Sequence, residues 1–168
     1  TLAGLSPLVR VLDNRERGPV PARNLGVAQA RGDLIAFLDD DDWFTDRDYL
    51  KNAEGLIAHG ADLVFCDGTM AFEDGNTGET FAFDADARSL ESNNKILISG
   101  AVYRRALHEH LGAFDETLPY YWDWDWFLRV ARGGYALRRW AQPAVAIRVH
   151  RQNMSGAVQE AARRENLD

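Results

Sequence analysis

The feature that most constrains this chain is an apolar run that ends abruptly in acidic residues. Residues 34–38 are Leu-Ile-Ala-Phe-Leu, and four consecutive aspartates, Asp39 to Asp42, follow directly. A continuous apolar run of this length is typical of a strand that is buried on both faces, as in a parallel sheet covered by helices. The run therefore predicts a central strand with the aspartates at its carboxyl end.

Helical and strand patterns alternate around this run. A helix is predicted from Pro19 to about Arg31 and another from about Asp46 to His59, and residues 61–66 have the composition of a further strand. This alternation predicts an α/β fold with a mostly parallel central sheet flanked by helices. Further predictions are strands at residues 8–12 and 144–149, a hairpin within residues 68–83, and a helix in the second half of residues 120–132.

Composition limits the class of protein. The length of 168 residues suits one domain, which we assign to residues 1–156, with residues 157–168 as a tail or terminal helix. A single cysteine excludes an internal disulfide and a multi-cysteine zinc site. The net charge of −7 argues against a nucleic-acid partner. No apolar run reaches the roughly 18 residues of a membrane helix, so we expect a cytoplasmic location, with peripheral contact at the cytoplasmic membrane face left open.

The acidic cluster predicts a cation site. Four adjacent carboxylates repel one another, and a nearby cation relieves that repulsion. Mg²⁺ and Mn²⁺ bind carboxylate oxygens and bridge them to substrate phosphates. Ligands of open α/β sheets also bind outside the carboxyl ends of the strands. The alternative is a solvated loop whose aspartates cap the next helix.

A second cluster, residues 121–126, alternates aromatic and acidic side chains as Tyr-Trp-Asp-Trp-Asp-Trp. Indole faces stack on sugars and other flat ligands, and a carboxylate beside such a surface can have a raised pKa and act as a general base. Either aspartate of this segment is therefore a candidate base, and its tryptophans are candidate ligand contacts. The alternative is a structural anchor in which the tryptophans pack into the core.

Two further residues are weak candidates when taken alone. His150 follows the late strand, where it can ligate a metal or a phosphate or be a structural histidine. Arg23 lies on the helix that precedes the apolar run, where it can meet a phosphate or a base or remain solvated.

Taken in order, these segments resemble the family 2 glycosyltransferases of the GT-A fold over about residues 8–156. Residues 22–26 resemble the family pattern A-R-N-x-G, and residues 30–42 resemble A-x-G-x-[YL]-I-x-F-L-D-x-D-D. Residues 112–116, 123–129 and 150–155 resemble G-G-F-D-E, E-D-x-D-x-W-x-x-R and H-x-x-N-x-S. The resemblance implies a GT-A domain with a Rossmann-like sheet.

The resemblance also implies a reaction, in which a sugar passes with inversion from a UDP-, GDP- or dTDP-sugar to a hydroxyl of a glycan, lipid or other acceptor. The implied cofactor is Mn²⁺ or Mg²⁺, and Asp39 and Asp41 match the outer aspartates of the family's D-x-D element. The implied roles are nucleotide-sugar binding by Arg23, Asp39 and Asp40, metal binding by Asp41 and His150, proton abstraction by Asp123, and acceptor contact by Trp122 and Trp124.

The chain departs from the family pattern in two places. Trp122 stands where the family usually has glutamate, and the family's opening strands, which enclose the nucleotide base, have no counterpart here. We therefore expect a GT-A domain that is truncated at its N-terminus, and pairing of two copies through the sheet edge left exposed is an open possibility. Two other functions also stay open. One is a non-catalytic carbohydrate-binding or assembly module. The other is a magnesium-dependent phosphotransferase, although Lys51 and Lys95 are the only lysines available as its clamp.

Overall fold

A computed structural model describes residues 8–16, 18–73 and 75–150 of the chain. The helices are α1 (Pro19–Gln29), α2 (Tyr49–Ala58), α3 (Ala87–Leu90), α4 (Ala106–Leu111) and α5 (Trp122–Arg132). The strands are β1 (Leu34–Ala36), β2 (Trp43–Phe44), β3 (Leu63–Phe72), β4 (Thr77–Phe81), β5 (Ala101–Arg104) and β6 (Leu137–Val149). A 3-10 turn at Ile98–Gly100 leads into β5. None of the helices in these ranges has the length and apolar character that a bilayer crossing demands.

The strands form one mixed sheet. Its order is β1-β5-β3-β6-β2, and β4 lies beside β3. Among the strand pairs of the described ranges, β3 and β6 run parallel and the other pairs are antiparallel. The prediction of a mostly parallel sheet is therefore wrong. The central, doubly buried position predicted for the run at residues 34–38 is also wrong, because β1 lies at the edge of the described sheet and only Ile35 of this strand is buried. Apolar composition carries no information about strand direction either, and β5 enters the sheet antiparallel to both of its neighbours.

The predicted helices and most predicted strands are confirmed, including the hairpin formed by β3 and β4. The strand predicted at residues 8–12 is wrong, because this segment has no strand structure and Leu8 is 91% exposed. A strand needs a hydrogen-bonded neighbour, and the described strands place none beside this segment. The predicted tail at residues 157–168 lies outside the described residues.

The core has two parts, one on each face of the sheet. Alternate residues of a strand point to opposite faces. Leu63 and Phe65 of β3 accordingly pack with α5, whereas Val64 and Cys66 pack with α2. On the α5 side, the indole of Trp126 is fully buried and lies against a group of aromatic rings, namely Tyr103, His108, Phe114 and Phe127.

His108 brings a titratable ring into this aromatic core. Its ring stacks on Trp126 with centroids 4.6 Å apart, and its Nε2 lies 2.9 Å from the Tyr103 hydroxyl. Burial lowers the pKa of His108 from its usual value of 6.5. A histidine with a lowered folded-state pKa contributes stability that is complete above the unfolded-state pKa and is lost as the pH falls towards the folded-state pKa.

We therefore expect the free energy of unfolding to decrease as the pH is lowered from about 7.5 to about 5.5. The decrease should be smaller in His108→Gln, which lacks the titrating ring. Urea denaturation of both proteins at each pH measures the two slopes. Identical slopes would show that His108 does not cause the pH dependence.

Candidate functional site

The four aspartates form a tight turn between β1 and β2. The backbone N–H of Asp42 donates to the carbonyl oxygen of Asp39 at 3.1 Å, which closes the turn. Asp40 is exposed, and the other three aspartates are half-buried. The carboxylates are thus gathered at one end of the sheet, as the sequence predicts.

Ser99 fixes the two ends of this turn. Its buried hydroxyl accepts the backbone N–H of Asp39 at 3.2 Å and donates to Asp42 Oδ2 at 2.6 Å. The other Asp42 oxygen accepts the backbone N–H of Arg148 at 3.1 Å. Burial raises the pKa of Asp42 even though these hydrogen bonds oppose the shift. Asp42 therefore anchors the turn to the sheet.

His150 lies at the turn as predicted. Its Nε2 is 2.9 Å from Asp41 Oδ2. This is the distance of a hydrogen bond, and two adjacent ligands of an octahedral cation at roughly 2.1 Å also stand about 3 Å apart. In the described part of the chain, no three histidine, cysteine or acidic side chains gather as a metal site. A cation site at Asp41 and His150 therefore stays a prediction.

Arg23 connects the acidic turn to α5. Its guanidinium forms an ion pair with the Asp39 carboxylate and lies over the indole of Trp122, 4.6 Å from the ring centroid. It also donates to the carbonyl oxygen of Pro19 at 3.3 Å. One side chain of α1 thus contacts both clusters that the sequence singles out.

The structure corrects the expectation that Trp122 contacts an acceptor. Trp122 is only 6% exposed, and its ring packs edge to face against Phe114 with centroids 5.1 Å apart. On a helix, residues four apart share a face, and Trp122 lies on the same buried face as Trp126. Trp122 is therefore a core residue that also supports Arg23.

Asp123 lies in the first turn of α5 and is half-buried. The side-chain amide of Asn94 donates to its Oδ2 at 3.1 Å. Burial raises the pKa of the Asp123 carboxyl, whereas the Asn94 hydrogen bond and the charge of Arg23 act in the opposite direction. A carboxylate with a raised pKa is a stronger proton acceptor, which suits a general base.

Trp124 packs against the edge of the core and also lines a cavity. Its Nε1 donates to the carbonyl oxygen of Leu90 at 2.6 Å. With Tyr120 and Tyr121 it lines a cavity of about 310 Å³. Tyr121 has a φ of 62°, a left-handed conformation that is uncommon outside glycine. An acceptor contact by Trp124 stays a prediction.

Asn24, next to Arg23, holds a loop in place. Its Nδ2 donates to the carbonyl oxygen of Phe114 at 3.0 Å and to Glu116 Oε1 at 2.7 Å, and its Oδ1 accepts the backbone N–H of Phe114 at 3.0 Å. These bonds join α1 to the segment between α4 and α5.

We expect Asn24→Asp to lower the free energy of unfolding by roughly 2–3 kcal/mol. The new carboxylate still accepts the N–H of Phe114, but it loses both donated bonds and faces Glu116 and a carbonyl oxygen. Urea denaturation measures the change, with Asn93→Asp at an exposed position as the matched control. Equal stability of the two variants would contradict this role.

Comparison with known proteins identifies the family. Residues 1–112 match the family described as Glycosyl transferase family 2. The chain belongs to this family. Asp123 and His150 lie beyond the matched residues, so their roles depend on the geometry described above.

Two curated relatives come from Bacillus subtilis (strain 168). The uncharacterized glycosyltransferase YwdF is 36% identical over 140 residues, which cover 79% of this chain and 51% of YwdF. The putative glycosyltransferase EpsH is 37% identical over 75 residues, which cover 45% of this chain and 21% of EpsH. The chain therefore spans about half the length of the first relative and about a fifth of the second.

Solved structures confirm the GT-A type of α/β fold. The crystal structure of S. aureus TarS 1–349 in complex with UDP-GlcNAc superposes with a TM-score of 0.63 at 20% identity, covering 81% of this chain and 40% of that one. The complex of the same protein with UDP has a TM-score of 0.58 at 21% identity, covering 80% of this chain and 41% of that one. At this level of sequence identity, the similarity between TarS and this chain is one of fold alone.

Proposed function

We propose that this chain transfers a sugar, with inversion, from a nucleotide-sugar donor to a hydroxyl acceptor. The observation that carries the proposal is the placement of Arg23, which ion-pairs with Asp39 and lies over the first turn of the helix that bears Asp123. The acidic turn and a half-buried carboxylate therefore share one end of the sheet. The complexes of TarS with UDP-GlcNAc and UDP support a UDP-sugar as the first donor to test.

On this proposal, Asp41 and His150 hold a divalent cation. A bound cation would offset the negative charge that the departing diphosphate acquires. Because Mg²⁺ takes mainly oxygen ligands whereas the pair here includes an imidazole nitrogen, we propose Mn²⁺ ahead of Mg²⁺. Asp40 is exposed at the tip of the turn and remains a candidate contact for the donor, together with Asp39.

Asp123 acts in this proposal as the general base. Its carboxylate takes the proton of the acceptor hydroxyl while that oxygen forms a bond to the anomeric carbon of the donor sugar. The bond between this carbon and the diphosphate oxygen breaks, and its electron pair leaves with the diphosphate. One displacement from the opposite face inverts the configuration at the carbon.

Calorimetric titration of the protein with UDP in the presence of Mn²⁺ tests the donor side. We expect Asp41→Asn and His150→Ala each to weaken UDP binding by about tenfold or more, or about 1.4 kcal/mol, because each removes one ligand of the cation. Asp48→Asn, an aspartate outside the turn, is the matched control. Equal affinity in all four proteins would contradict the proposed cation site.

Transfer chemistry requires a separate test, because a sugar-binding module would also bind ligand. Incubation with a panel of UDP-, GDP- and dTDP-sugars should release nucleotide slowly from one donor. Sugar binding without nucleotide release from any donor, with or without added hydroxyl acceptors, would instead support a non-catalytic module.

A further inference from the structure

We propose that Asn94 is a positioning residue that holds the Asp123 carboxylate in its working orientation. This inference rests on the proposed function, since it concerns the proposed base. Asn94 lies 29 positions before Asp123 in the chain, and its side-chain amide donates to Asp123 Oδ2.

The orientation of the Asn94 amide is set by a second hydrogen bond. Asn94 Oδ1 accepts the backbone N–H of Ile96 at 3.1 Å, and Ile96 is buried. With the oxygen of the amide held by this local turn, the nitrogen faces Asp123. Asn94 therefore presents a donor of fixed direction to the carboxylate, at a distance of 3.1 Å.

The segment that carries Asn94 is attached to α5 at further points. The carbonyl oxygen of Leu90 accepts Trp124 Nε1 at 2.6 Å, and Glu91 pairs with Arg132 at 3.0 Å. Leu90 itself is fully buried. This segment is thus attached to α5 both beside Asp123 and at the other end of the helix. These attachments fix the position of Asn94 relative to α5.

Two groups other than the backbone act on the Asp123 carboxylate from neighbouring elements. Arg23 of α1 supplies a positive charge, but its guanidinium is already engaged by Asp39 and stacked on Trp122. Asn94 supplies a neutral donor that favours the ionised carboxylate, whereas burial disfavours it. Removing the amide donor therefore frees the carboxylate to rotate and makes it harder to ionise.

Two substitutions distinguish the hydrogen bond that Asn94 donates to Asp123 from the one that it accepts from Ile96. Asn94→Ser keeps an oxygen that can accept the N–H of Ile96, but its side chain is too short to reach Asp123. Asn94→Asp keeps the same acceptor and directs a second carboxylate at Asp123. Asn93→Ala, at the exposed neighbouring position, is the matched control.

We expect Asn94→Ser to lower kcat for nucleotide release from UDP-GlcNAc by about 10- to 100-fold while KM for the donor changes less than about threefold. The acidic limb of the kcat–pH profile should move to higher pH in Asn94→Ser and further in Asn94→Asp. A merely structural role would not move this limb. A kcat and a pH profile equal to those of Asn93→Ala would overturn the proposal.

A carboxyl NMR titration distinguishes failure of this inference from failure of the proposed function. The Asp123 resonance, assigned by its loss in Asp123→Asn, should titrate at higher pH in Asn94→Asp than in the wild type, whether or not the protein turns over donor. An unchanged titration would overturn the role of Asn94. Full activity of Asp123→Asn would instead refute Asp123 as the base.

Discussion

Replacing Asp123 with asparagine is expected to lower kcat for sugar transfer by about 10²- to 10⁴-fold, the usual contribution of a positioned general base. Asparagine has nearly the same shape, and its side-chain oxygen can still accept the Asn94 hydrogen bond. The fold should therefore persist while the proton acceptor is lost. Initial rates of nucleotide release with saturating acceptor measure the effect.

Asp125→Asn is the matched control for this experiment. Asp125 lies two residues further along the same helix, but its carboxylate pairs with Arg129 at 3.0 Å. A partly exposed pair of this kind contributes little stability, so we expect kcat to change only a few-fold. Comparable losses in the two variants would mean that the defect lies in the helix and not in a base at Asp123.

Trp126→Ala is expected to lower the free energy of unfolding by about 3–5 kcal/mol. The indole is fully buried, and its centroid lies 4.6 Å from those of Tyr103 and His108. Truncation removes these contacts and leaves a cavity between α5 and the sheet. Because domains of this size are stable by only about 5–15 kcal/mol, urea denaturation should show a much lower midpoint.

Trp43→Ala provides the comparison for the core tryptophan. Trp43 is 41% exposed in the short strand β2, and Arg148 lies over its ring. We expect a loss of about 1 kcal/mol or less, since this residue is already largely accessible to solvent. If both alanine variants cost the same, the aromatic core described around Trp126 would be wrong.

The parts of the site that were predictable from sequence are those that depend on local order along the chain. The apolar run at residues 34–38 and the aspartates behind it indicate a strand and a cluster of carboxylates at its end. His150 follows a late strand, and the structure brings it to Asp41. Strand ends and the spacing of residues within a cluster are local patterns, so they can be recognised without knowledge of the tertiary structure.

The residues that sequence reasoning missed act across long separations. Ser99 meets Asp42 across 57 positions, and Asn94 meets Asp123 across 29. A serine or asparagine in a connecting segment has no periodicity that distinguishes such a role. The direction of β5 was unpredictable for a related reason, because burial on both faces is compatible with either direction of a strand.

The tryptophans of α5 illustrate a further limit. Helical spacing predicts that Trp122 and Trp126 share a face, and it does so correctly. It does not show whether that face meets the core or solvent. The structure buries both rings and leaves Trp124 beside the cavity, so only one of the two proposed acceptor contacts remains.

A crystal structure of the protein soaked with UDP and Mn²⁺ shows whether the acidic turn holds a cation and a nucleotide diphosphate. We expect the metal to bind Asp41 and His150 and the diphosphate of UDP to bind the metal. The Asp123 carboxylate should face the terminal phosphate of UDP. A structure in which UDP and Mn²⁺ bind away from Asp41 and His150 would contradict the proposed site.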